Sequence, residues 1–139
     1  MDAAIRELLE GPNLGHLATL MADGAPHSVV LWVTVVEGDR LAFIADPRSL
    51  KGRNIARDPR VSLSIVDHDD PYRTAQLRGR VVATRTGDAA WDLLDEMARR
   101  YTGADYPERV GVLYEVEVDW ETFTEVSIRR ARRAESPGR

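Results

Sequence analysis

The sequence predicts a small antiparallel β-barrel with peripheral helices. Segments in which apolar and polar residues alternate, the pattern of half-buried strands, recur along most of the chain. Turn signals separate the first of these segments, which makes successive strands neighbours in a sheet. About six such strands, with helices only at the start, in the middle and at one crossover, favour a barrel.

Composition limits the domain organisation and the function. The 139 residues are 43% hydrophobic and 30% charged, which is typical of one globular domain, and no segment is long and apolar enough to span a bilayer. We expect a single domain over residues 1–128 in a cytoplasmic protein, because the start lacks the basic-then-apolar pattern of a signal peptide. The absence of cysteine excludes disulfides, thiolate metal sites and cysteine nucleophiles. The net charge of −4 argues against a surface that tracks nucleic acid as a whole, but it leaves room for one basic pocket.

Helices are expected at three places. Asp2 can cap the first, and Gly11-Pro12 ends it. The apolar face of this helix consists of Ile5, Leu8 and Leu9. The clearest helix spans residues 88–101, and Gly103 suits its exit. The residues that recur there at the spacing of one buried stripe are Trp91, Leu94, Ala98 and Tyr101.

The predicted strands begin as an antiparallel meander. Residues 14–22 and 26–36 flank Asp23-Gly24, a dipeptide that supplies the positive φ angles of a tight two-residue hairpin turn. A second turn over residues 37–40 leads into a strand over residues 41–45. The later strands are predicted over residues 61–66, 74–84, 112–119 and 122–128.

A short basic segment stands out from a chain that is acidic overall. Residues 48–60 carry five basic side chains and one acid, for a local net charge of 5 − 1 = +4, and Lys51 is the only lysine of the chain. Ser49 or Asp46 can cap a helix of about two turns here. This helix must end before Pro59, because the residue that precedes a proline disfavours the helical conformation.

The start of this helix is predicted to bind a phosphate. The first turn of a helix presents free backbone N–H groups and the positive end of the helix dipole, and Arg48, Ser49 and Lys51 cluster there. The compact ammonium of a lysine can act as a point charge against a phosphate. The strand over residues 43–46 leads into this place, so a flat ring attached to the phosphate can lie along the barrel wall, with its edge at the backbone of residues 28–30. The alternative is a surface helix whose arginines are solvated.

Motifs of the familiar catalytic sites are absent from the sequence. His16, His27 and His68 are isolated, and no zinc-protease, nucleophile-elbow, P-loop or dinucleotide-binding pattern occurs. A structural role is therefore the favoured interpretation of each histidine. Asp67 and Asp69 offer a weak cation site, but solvation of a loop explains them better, and no metal is expected.

The end of the chain, residues 129–139, is basic and has no apolar periodicity. A frayed, solvated end is therefore predicted. A nucleic-acid arm is the alternative, but no aromatic residue stands between these arginines to stack on bases. We expect neither a nucleic-acid partner nor a membrane partner.

Several motifs occur in an order that resembles one superfamily of redox proteins. They are Gly15-His-Leu-Ala-Thr-Leu20, Asp23-Gly-Ala-Pro26, Val30-Leu-Trp32, Arg48-x-x-Lys51-x-Arg-Asn54, Asp58-Pro-Arg-Val-Ser62 and Pro71-Tyr-Arg73. The chain is similar to the split β-barrel flavin and deazaflavin oxidoreductases related to pyridoxamine 5′-phosphate oxidase, the FMN-binding split barrel, and within them to the actinobacterial branch that binds coenzyme F420. The similarity covers residues 3–128 and rests on the ordered set rather than on any single motif.

This resemblance implies a mainly β fold, a six-stranded antiparallel split β-barrel with peripheral helices. It also implies a homodimer whose two cofactor sites lie in grooves between the subunits. The phosphate is expected near Arg48, Ser49 and Lys51, and the acidic tail of the deazaflavin is expected near the other arginines of the basic segment. The implied cofactor-binding residues are Ser28, Val29, Val30, Ile44, Ala45, Asp46, Arg48, Ser49, Lys51, Arg53, Asn54, Arg57, Arg60 and Thr74.

Two positions depart from the pattern of this superfamily. Thr74 stands where FMN-binding members usually carry a glutamine that contacts the cofactor, which favours coenzyme F420 over FMN. Ala45-Asp46 stands where related deazaflavin-binding chains often carry Ser-Thr, so a carboxylate lies near the predicted phosphate. That carboxylate either caps the helix or lowers the affinity for the phosphate.

The resemblance implies hydride transfer between the deazaflavin and an electron-poor small molecule, such as an enone, quinone, lactone or tetrapyrrole. The cofactor carries the hydride, and the protein supplies orientation and a groove with little water. The proton comes from solvent or from Tyr72, His27 or Tyr106, and Trp32 is expected to line the pocket or the dimer contact. Two alternatives stay open: a protein that binds flavin, coenzyme F420 or haem without turnover, and an FMN-dependent oxidase of the pyridoxamine-phosphate oxidase type.

Overall fold

The computed structural model describes residues 1–127, in which seven strands and three helices are found. The strands are β1 (Gly15–Leu20), β2 (Pro26–Leu31), β3 (Thr34–Val36), β4 (Arg40–Ala45), β5 (Arg60–Val66), β6 (Arg73–Arg85) and β7 (Val112–Glu125). The helices are α1 (Ala3–Glu10), α2 (Leu50–Arg57) and α3 (Asp88–Thr102). Among these helices, none has the length and apolar character needed to cross a membrane. The predicted basic tail, and Ile128 before it, lie outside the described residues.

All seven strands belong to one antiparallel sheet in the order β2-β1-β5-β6-β7-β4-β3. Its two edge strands, β2 and β3, follow each other in the chain with only Trp32 and Val33 between them. Because this connection spans at most about 11 Å of extended chain, the two edges must come close together. The sheet therefore curls into a barrel that is split between β2 and β3.

The prediction of six strands is wrong, because residues 1–127 form seven. The predicted strand over residues 26–36 is divided at Trp32 and Val33, where the chain passes from one edge of the sheet to the other. The two strands predicted over residues 112–119 and 122–128 are one strand, β7. A bulge lies here, since Arg78 pairs with Trp120 but the next residue of β6 pairs with Val118. The bulge resets the alternation of the side chains, so one strand has the pattern of two.

The first hairpin turn differs from the prediction, whereas the second lies where it is predicted. In the connection between β1 and β2 only Gly24 has a positive φ, of 86°, so the predicted two-residue turn at Asp23-Gly24 is wrong. This longer connection is closed by the Met21 N–H, which donates to the Ala25 carbonyl oxygen at 2.8 Å. In the turn between β3 and β4 two successive residues take such angles, Gly38 with φ 80° and Asp39 with φ 57°. Positive φ at both central residues gives the twist that suits a hairpin.

The interior of the barrel forms the main core. On β5 the side chains of Val61, Leu63 and Ile65 point inward, as the alternation predicts. α1 packs on this core beside β3 and β5, and the Asp2 carboxylate caps it by accepting the Ala4 N–H at 2.8 Å. α2 packs on the core near the end of β1. The buried residues that these two helices contribute are Ile5, Leu8 and Leu9 from α1 and Ile55 from α2.

α3 lies on the outer surface of β4 and β7. Ala90 of this helix packs with Ala42 of β4 and Leu113 of β7. The helix ends as predicted, since Gly103 follows it in the left-handed conformation with φ 83°. α3 thus forms a second layer on one side of the barrel.

Tyr101 connects α3 to the split of the barrel. Its hydroxyl accepts the Val33 N–H at 3.4 Å and lies 3.2 Å from the Val33 carbonyl oxygen, and it also bonds to the Asn13 carbonyl oxygen. Burial raises the pKa of the Tyr101 phenol above its usual range. The phenol therefore satisfies backbone groups at the point where the chain leaves one sheet edge for the other.

Candidate functional site

A cavity of about 370 Å³ lies where the end of β4 meets α2 and α3. This volume is in the range of small-molecule sites. On one side, the α2 wall consists of Ile44, Ala45, Asp46 and Lys51. On the other side, the α3 wall consists of Trp32, Leu94, Met97, Tyr106, Val110 and Gly111.

The first turn of α2 is held tightly against the end of β4. The Ser49 hydroxyl accepts the Gly52 N–H at 3.2 Å and donates to the Asp46 carbonyl oxygen at 2.5 Å, so Ser49 rather than the Asp46 side chain caps the helix. A Cβ atom on Gly52 would lie 2.5 Å from that same carbonyl oxygen. Glycine is therefore required for this close approach.

Lys51 and Asp46 differ in how their charges are paired. The Asp46 carboxylate accepts the Arg48 backbone N–H at 2.8 Å and the Arg48 guanidinium at 3.3 Å. These hydrogen bonds hold the pKa of Asp46 below its usual range, and the bond from the Arg48 backbone has the larger effect. Lys51 is half-buried and has no salt bridge within residues 1–127. Its ammonium is thus the cation of the cavity that is available to an anion.

The α3 wall is apolar and aromatic. Leu94 and Met97 are buried, with 4% and 1% of their surface exposed. The Trp32 ring stacks on the Tyr101 ring at a centroid distance of 5.3 Å and meets the Tyr106 ring edge-on at 6.0 Å. This wall therefore offers flat apolar surface and one phenol.

Gly111 closes the cavity where the α3 wall meets the α2 wall. It has a φ of 82°, and a Cβ atom there would lie 2.7 Å from Cγ2 of Ile44. Any other residue would meet both a strained backbone and a steric clash. The contact between the two walls at this point depends on glycine.

The residues predicted from β2 lie on an edge strand and do not line this cavity. Ser28 and Val30 are exposed, whereas the Val29 side chain packs against the barrel core. Because β2 pairs only with β1 among the strands of residues 1–127, alternate backbone N–H and C=O groups of β2 point away from the sheet. A ligand can meet this strand through those backbone groups.

The arginines of the basic segment do not form one continuous strip with Lys51. Arg53 and Arg57 are exposed on α2. Arg60 lies in a second groove of about 380 Å³ over β1, β5 and β6, together with Arg78 and Arg80. The positive charge of the segment is thus divided between two surfaces.

Two of the predicted cofactor-binding residues lie away from the cavity. Asn54 is fully buried, and its amide donates to the Thr19 hydroxyl at 3.0 Å. It therefore fastens α2 to β1. Thr74 is half-buried on β6, where it pairs with Val66 on one side and Thr124 on the other.

Of the three predicted proton donors, Tyr106 alone lines the cavity. Tyr72 is 44% exposed in the turn before β6. His27 lies on β2, and its Nδ1 atom is buried without a hydrogen-bond partner among the described residues.

Asp67 has a structural role in the loop before β6. Its carboxylate accepts the backbone N–H groups of Asp69 at 2.8 Å and Asp70 at 3.2 Å, and the Arg73 guanidinium at 2.6 Å. These bonds agree with the loop interpretation of the acidic pair. Over residues 1–127 no group of three or more histidine, aspartate or glutamate side chains is arranged to hold a metal ion.

The sequence points to two members of the α3 wall, Trp32 as a residue of the pocket or the dimer contact and Tyr106 as a candidate proton donor, but not to the others. Leu94 was predicted only as a core residue of the helix, and the segment after α3 carries no motif. One signal was available: Asp95 lies four residues after Trp91 and three before Ala98, on the same stripe of the helix. A carboxylate at such a position requires a partner, and the structure supplies Arg109, whose Nη2 lies 2.7 Å from the carboxylate.

Comparisons with known proteins agree with this fold. A family model described as pyridoxamine 5′-phosphate oxidase matches residues 1–129. A solved structure named F420 reductase is 30% identical with a TM-score of 0.72, over 84% of this chain and 94% of that one. A conserved hypothetical protein from Mycobacterium tuberculosis is 24% identical with a TM-score of 0.73, over 100% and 91% of the two chains. General Stress Protein 26 from Bacillus anthracis str. Sterne is 20% identical with a TM-score of 0.67, over 87% and 91%. No curated protein matches the chain.

Proposed function

We propose that this chain, which belongs to the pyridoxamine 5′-phosphate oxidase family, is an oxidoreductase that uses coenzyme F420 with an electron-poor small molecule. The observation that carries the proposal is that Lys51 shares one cavity with Ile44 and Ala45 at the first turn of α2. One ligand can thus place a phosphate at the ammonium and a flat ring along the end of β4. The 30% identity to the protein named F420 reductase supports the deazaflavin, and so does Thr74 at the position where FMN-binding members usually carry glutamine.

The residues at the start of α2 fit an anionic cofactor. The Ser49 hydroxyl accepts a hydrogen bond from the Gly52 N–H, and the Arg53 N–H donates to the Ser49 carbonyl oxygen. The N–H groups of Leu50 and Lys51 have no acceptor in the part of the chain that the structure describes. Two free N–H groups, the helix dipole and one ammonium make a phosphate seat.

Coenzyme F420, when bound, supplies hydride chemistry at its deazaflavin ring. The residues of the chain bind the cofactor, orient its ring and exclude water from the site. Lys51 fixes the phosphate, Ile44 and Ala45 offer the surface for the ring, and the α3 wall limits access of water from the other side. The phenol of Tyr106 is the candidate to hold a proton for the acceptor, with solvent as the alternative donor.

We further propose a homodimer with the cofactor sites at the subunit interface. The outer face of β2, β1, β5 and β6 has no helix packed on it among the described elements, and it exposes several large apolar side chains. The exposed residues are Val30 of β2 and Val82 of β6, at 57% and 41%, and Trp120 on the adjoining strand β7, at 42%. Such a patch is typical of an association surface. Light scattering at micromolar concentration is expected to give twice the mass of one chain, and a stable monomer would contradict a shared site.

Lys51→Ala tests the phosphate seat. It is expected to weaken coenzyme F420 binding by about 10- to 100-fold, because a hydrogen bond to a charged group contributes roughly 1.5–3 kcal/mol. The free energy of unfolding should stay within about 0.5 kcal/mol of the wild type, as for most surface changes. Arg6→Ala is the matched control, since it removes the same charge from the exposed side of α1, away from the cavity and from the proposed interface, and should leave the titration unchanged. An unchanged titration of Lys51→Ala would remove the assignment.

The spectrum of the purified protein and a turnover assay separate the alternatives. A flavin band or a haem Soret band would favour the FMN-dependent oxidase or a haem-binding protein. Oxidation of reduced coenzyme F420 by a panel of enones and quinones tests catalysis. Tight binding without faster oxidation by any acceptor would favour a binding protein.

A further inference from the structure

Asp95 is a buried carboxylate of α3 that holds the segment between α3 and β7. Only 8% of its surface is exposed. Its Oδ1 atom accepts the Tyr106 backbone N–H at 3.2 Å and Nη1 of Arg109 at 2.9 Å, and its Oδ2 atom accepts Nη2 of Arg109 at 2.7 Å. The pKa of Asp95 lies below its usual range, mainly because the carboxylate accepts hydrogen bonds from the Arg109 guanidinium. A two-pronged pair of this kind fixes direction as well as distance.

The segment that Asp95 holds carries half of the α3 wall. Tyr106, Val110 and Gly111 line the cavity, and the bonds from Asp95 reach Tyr106 itself and the neighbour of Val110. Residues 103–111 contain neither helix nor strand. Side-chain contacts rather than a regular ladder therefore set the position of this backbone.

We propose that Asp95 and Arg109 are positioning residues that set the width of the cavity on the α3 side and thereby determine which acceptors it admits. This inference rests on the proposed function, in which the α2 wall holds the cofactor and the α3 wall faces the acceptor. Neither residue is part of the cavity lining. Each acts through Tyr106 and Val110, so its removal changes the shape of the site.

The α3 wall indicates the class of acceptor. The Trp32 and Tyr106 rings stand at 88° to each other, and the remaining side chains are those of Leu94, Met97 and Val110. A flat apolar molecule with one polar edge suits such a surface, because an aromatic ring offers stacking on its face and the phenol offers one hydrogen bond. Compact enones and quinones have this shape, and a wider cavity would also admit bulkier ones.

Asp95→Asn tests the proposal, because it keeps the size of the side chain but removes the charge. We expect KM for a compact acceptor such as cyclohexenone to rise about tenfold while kcat changes less, since the cofactor side of the site is untouched and solvent can still donate the proton when Tyr106 is displaced. The preference for a bulky naphthoquinone over cyclohexenone should increase, and the Kd of coenzyme F420 should stay within about twofold, because the α2 wall is untouched. Hydrogen exchange of the amides over residues 104–111 should become about tenfold faster, most of all at Tyr106.

Asp105→Asn is the matched control. It removes the exposed salt bridge between Arg99 and Asp105, whose N···O distance is 2.6 Å. Asp105 belongs to the same segment as Tyr106 but does not line the cavity. We expect this variant to leave the exchange rates around Tyr106 and the acceptor preference unchanged. Equal effects of Asp105→Asn and Asp95→Asn would overturn a specific role of Asp95.

Arg109→Lys provides a second variant in case Asp95→Asn does not fold, because its side chain is 49% exposed. It keeps the charge but loses the two-pronged contact, so it should show the same shift in acceptor preference to a smaller extent. If the wild type does not bind coenzyme F420, the proposed function fails. If the wild type turns over and both variants keep its exchange rates and acceptor preference, this inference fails and the proposed function stands.

Discussion

The two walls of the cavity use their residues in different ways. On the α2 wall, Lys51 is half-buried and no carboxylate of the described chain forms a salt bridge with it. On the α3 wall, Leu94 and Met97 are as buried as the core of the barrel. Ligand binding and stability are therefore separable at Lys51, whereas Leu94 and Met97 contribute to both.

Leu94→Ala should have the largest effect, because it removes a side chain that both fills the core and lines the cavity. Truncation of a buried leucine costs about 2–5 kcal/mol of unfolding free energy. Urea denaturation measures this loss, and Lys51→Ala should show almost none of it. A loss below about 1 kcal/mol would mean that the α3 wall relaxes around the missing side chain and is not part of a packed core.

Val110→Ala is the control for this change. It shortens an apolar side chain of the same wall, but Val110 is 42% exposed. We expect a loss of less than about 1 kcal/mol, because little apolar surface returns to water. The comparison separates the effect of burial from the effect of lining the cavity.

Gly52→Ala should break the α2 wall through the backbone. The new Cβ atom would lie 2.5 Å from the Asp46 carbonyl oxygen and 2.7 Å from that of Pro47, and these backbone atoms cannot rotate away as a side chain can. Alanine favours a helix by about 1 kcal/mol over glycine, so the clash must exceed this gain to destabilise. We expect a net loss of roughly 1–3 kcal/mol and weaker coenzyme F420 binding, since α2 must move away from β4.

The reciprocal change, Ala56→Gly, serves as the control on the same helix. Ala56 is exposed, so the substitution lowers helix propensity without a clash. It should cost about 0.5–1 kcal/mol and leave the coenzyme titration unchanged. Should Gly52→Ala also leave the titration unchanged, the first turn of α2 would not be the phosphate seat.

The same contrast explains how much of the site the sequence could predict. The α2 wall is local: Ser49, its cap, and Lys51 lie within a few residues of Asp46, so the cap and the charge are visible as a pattern. The α3 wall is assembled by tertiary structure. No local pattern records that Trp32 stacks on Tyr101, or that Gly111 fits against Ile44.

The fold divides in a similar way. The alternation on β5, the Asp2 cap of α1 and the end of α3 at Gly103 depend on neighbouring residues, and these predictions are confirmed. The strand boundaries failed at two places, because the closure and pairing of the sheet decide them. The crossing at Trp32 and Val33 depends on where the two edges meet, and the bulge in β7 depends on its pairing with β6.

Substitutions at Ser49 should have the smallest effect on the unfolding free energy. They distinguish the role of Ser49 as a helix cap from its role in binding a phosphate. Ser49→Ala removes the hydroxyl that accepts the Gly52 N–H, and the loss of an N-cap costs typically about 1 kcal/mol. Aspartate caps a helix as well as serine does, although it cannot donate the hydrogen bond that the Ser49 hydroxyl gives to the Asp46 carbonyl oxygen, so Ser49→Asp should lose less unfolding free energy than Ser49→Ala. Thermal and urea denaturation of the two variants measure this difference.

Ser49→Asp also places a second carboxylate beside Asp46, at the start of α2 where the phosphate is predicted. Repulsion between like charges should then weaken coenzyme F420 binding by at least about tenfold, although the helix keeps its cap. Ser49→Ala should show the reverse pattern, with a loss of stability and a smaller loss of affinity. If Ser49→Asp binds the coenzyme as tightly as the wild type, the anion does not lie at this helix start, and the α2 wall serves stability as the α3 wall does.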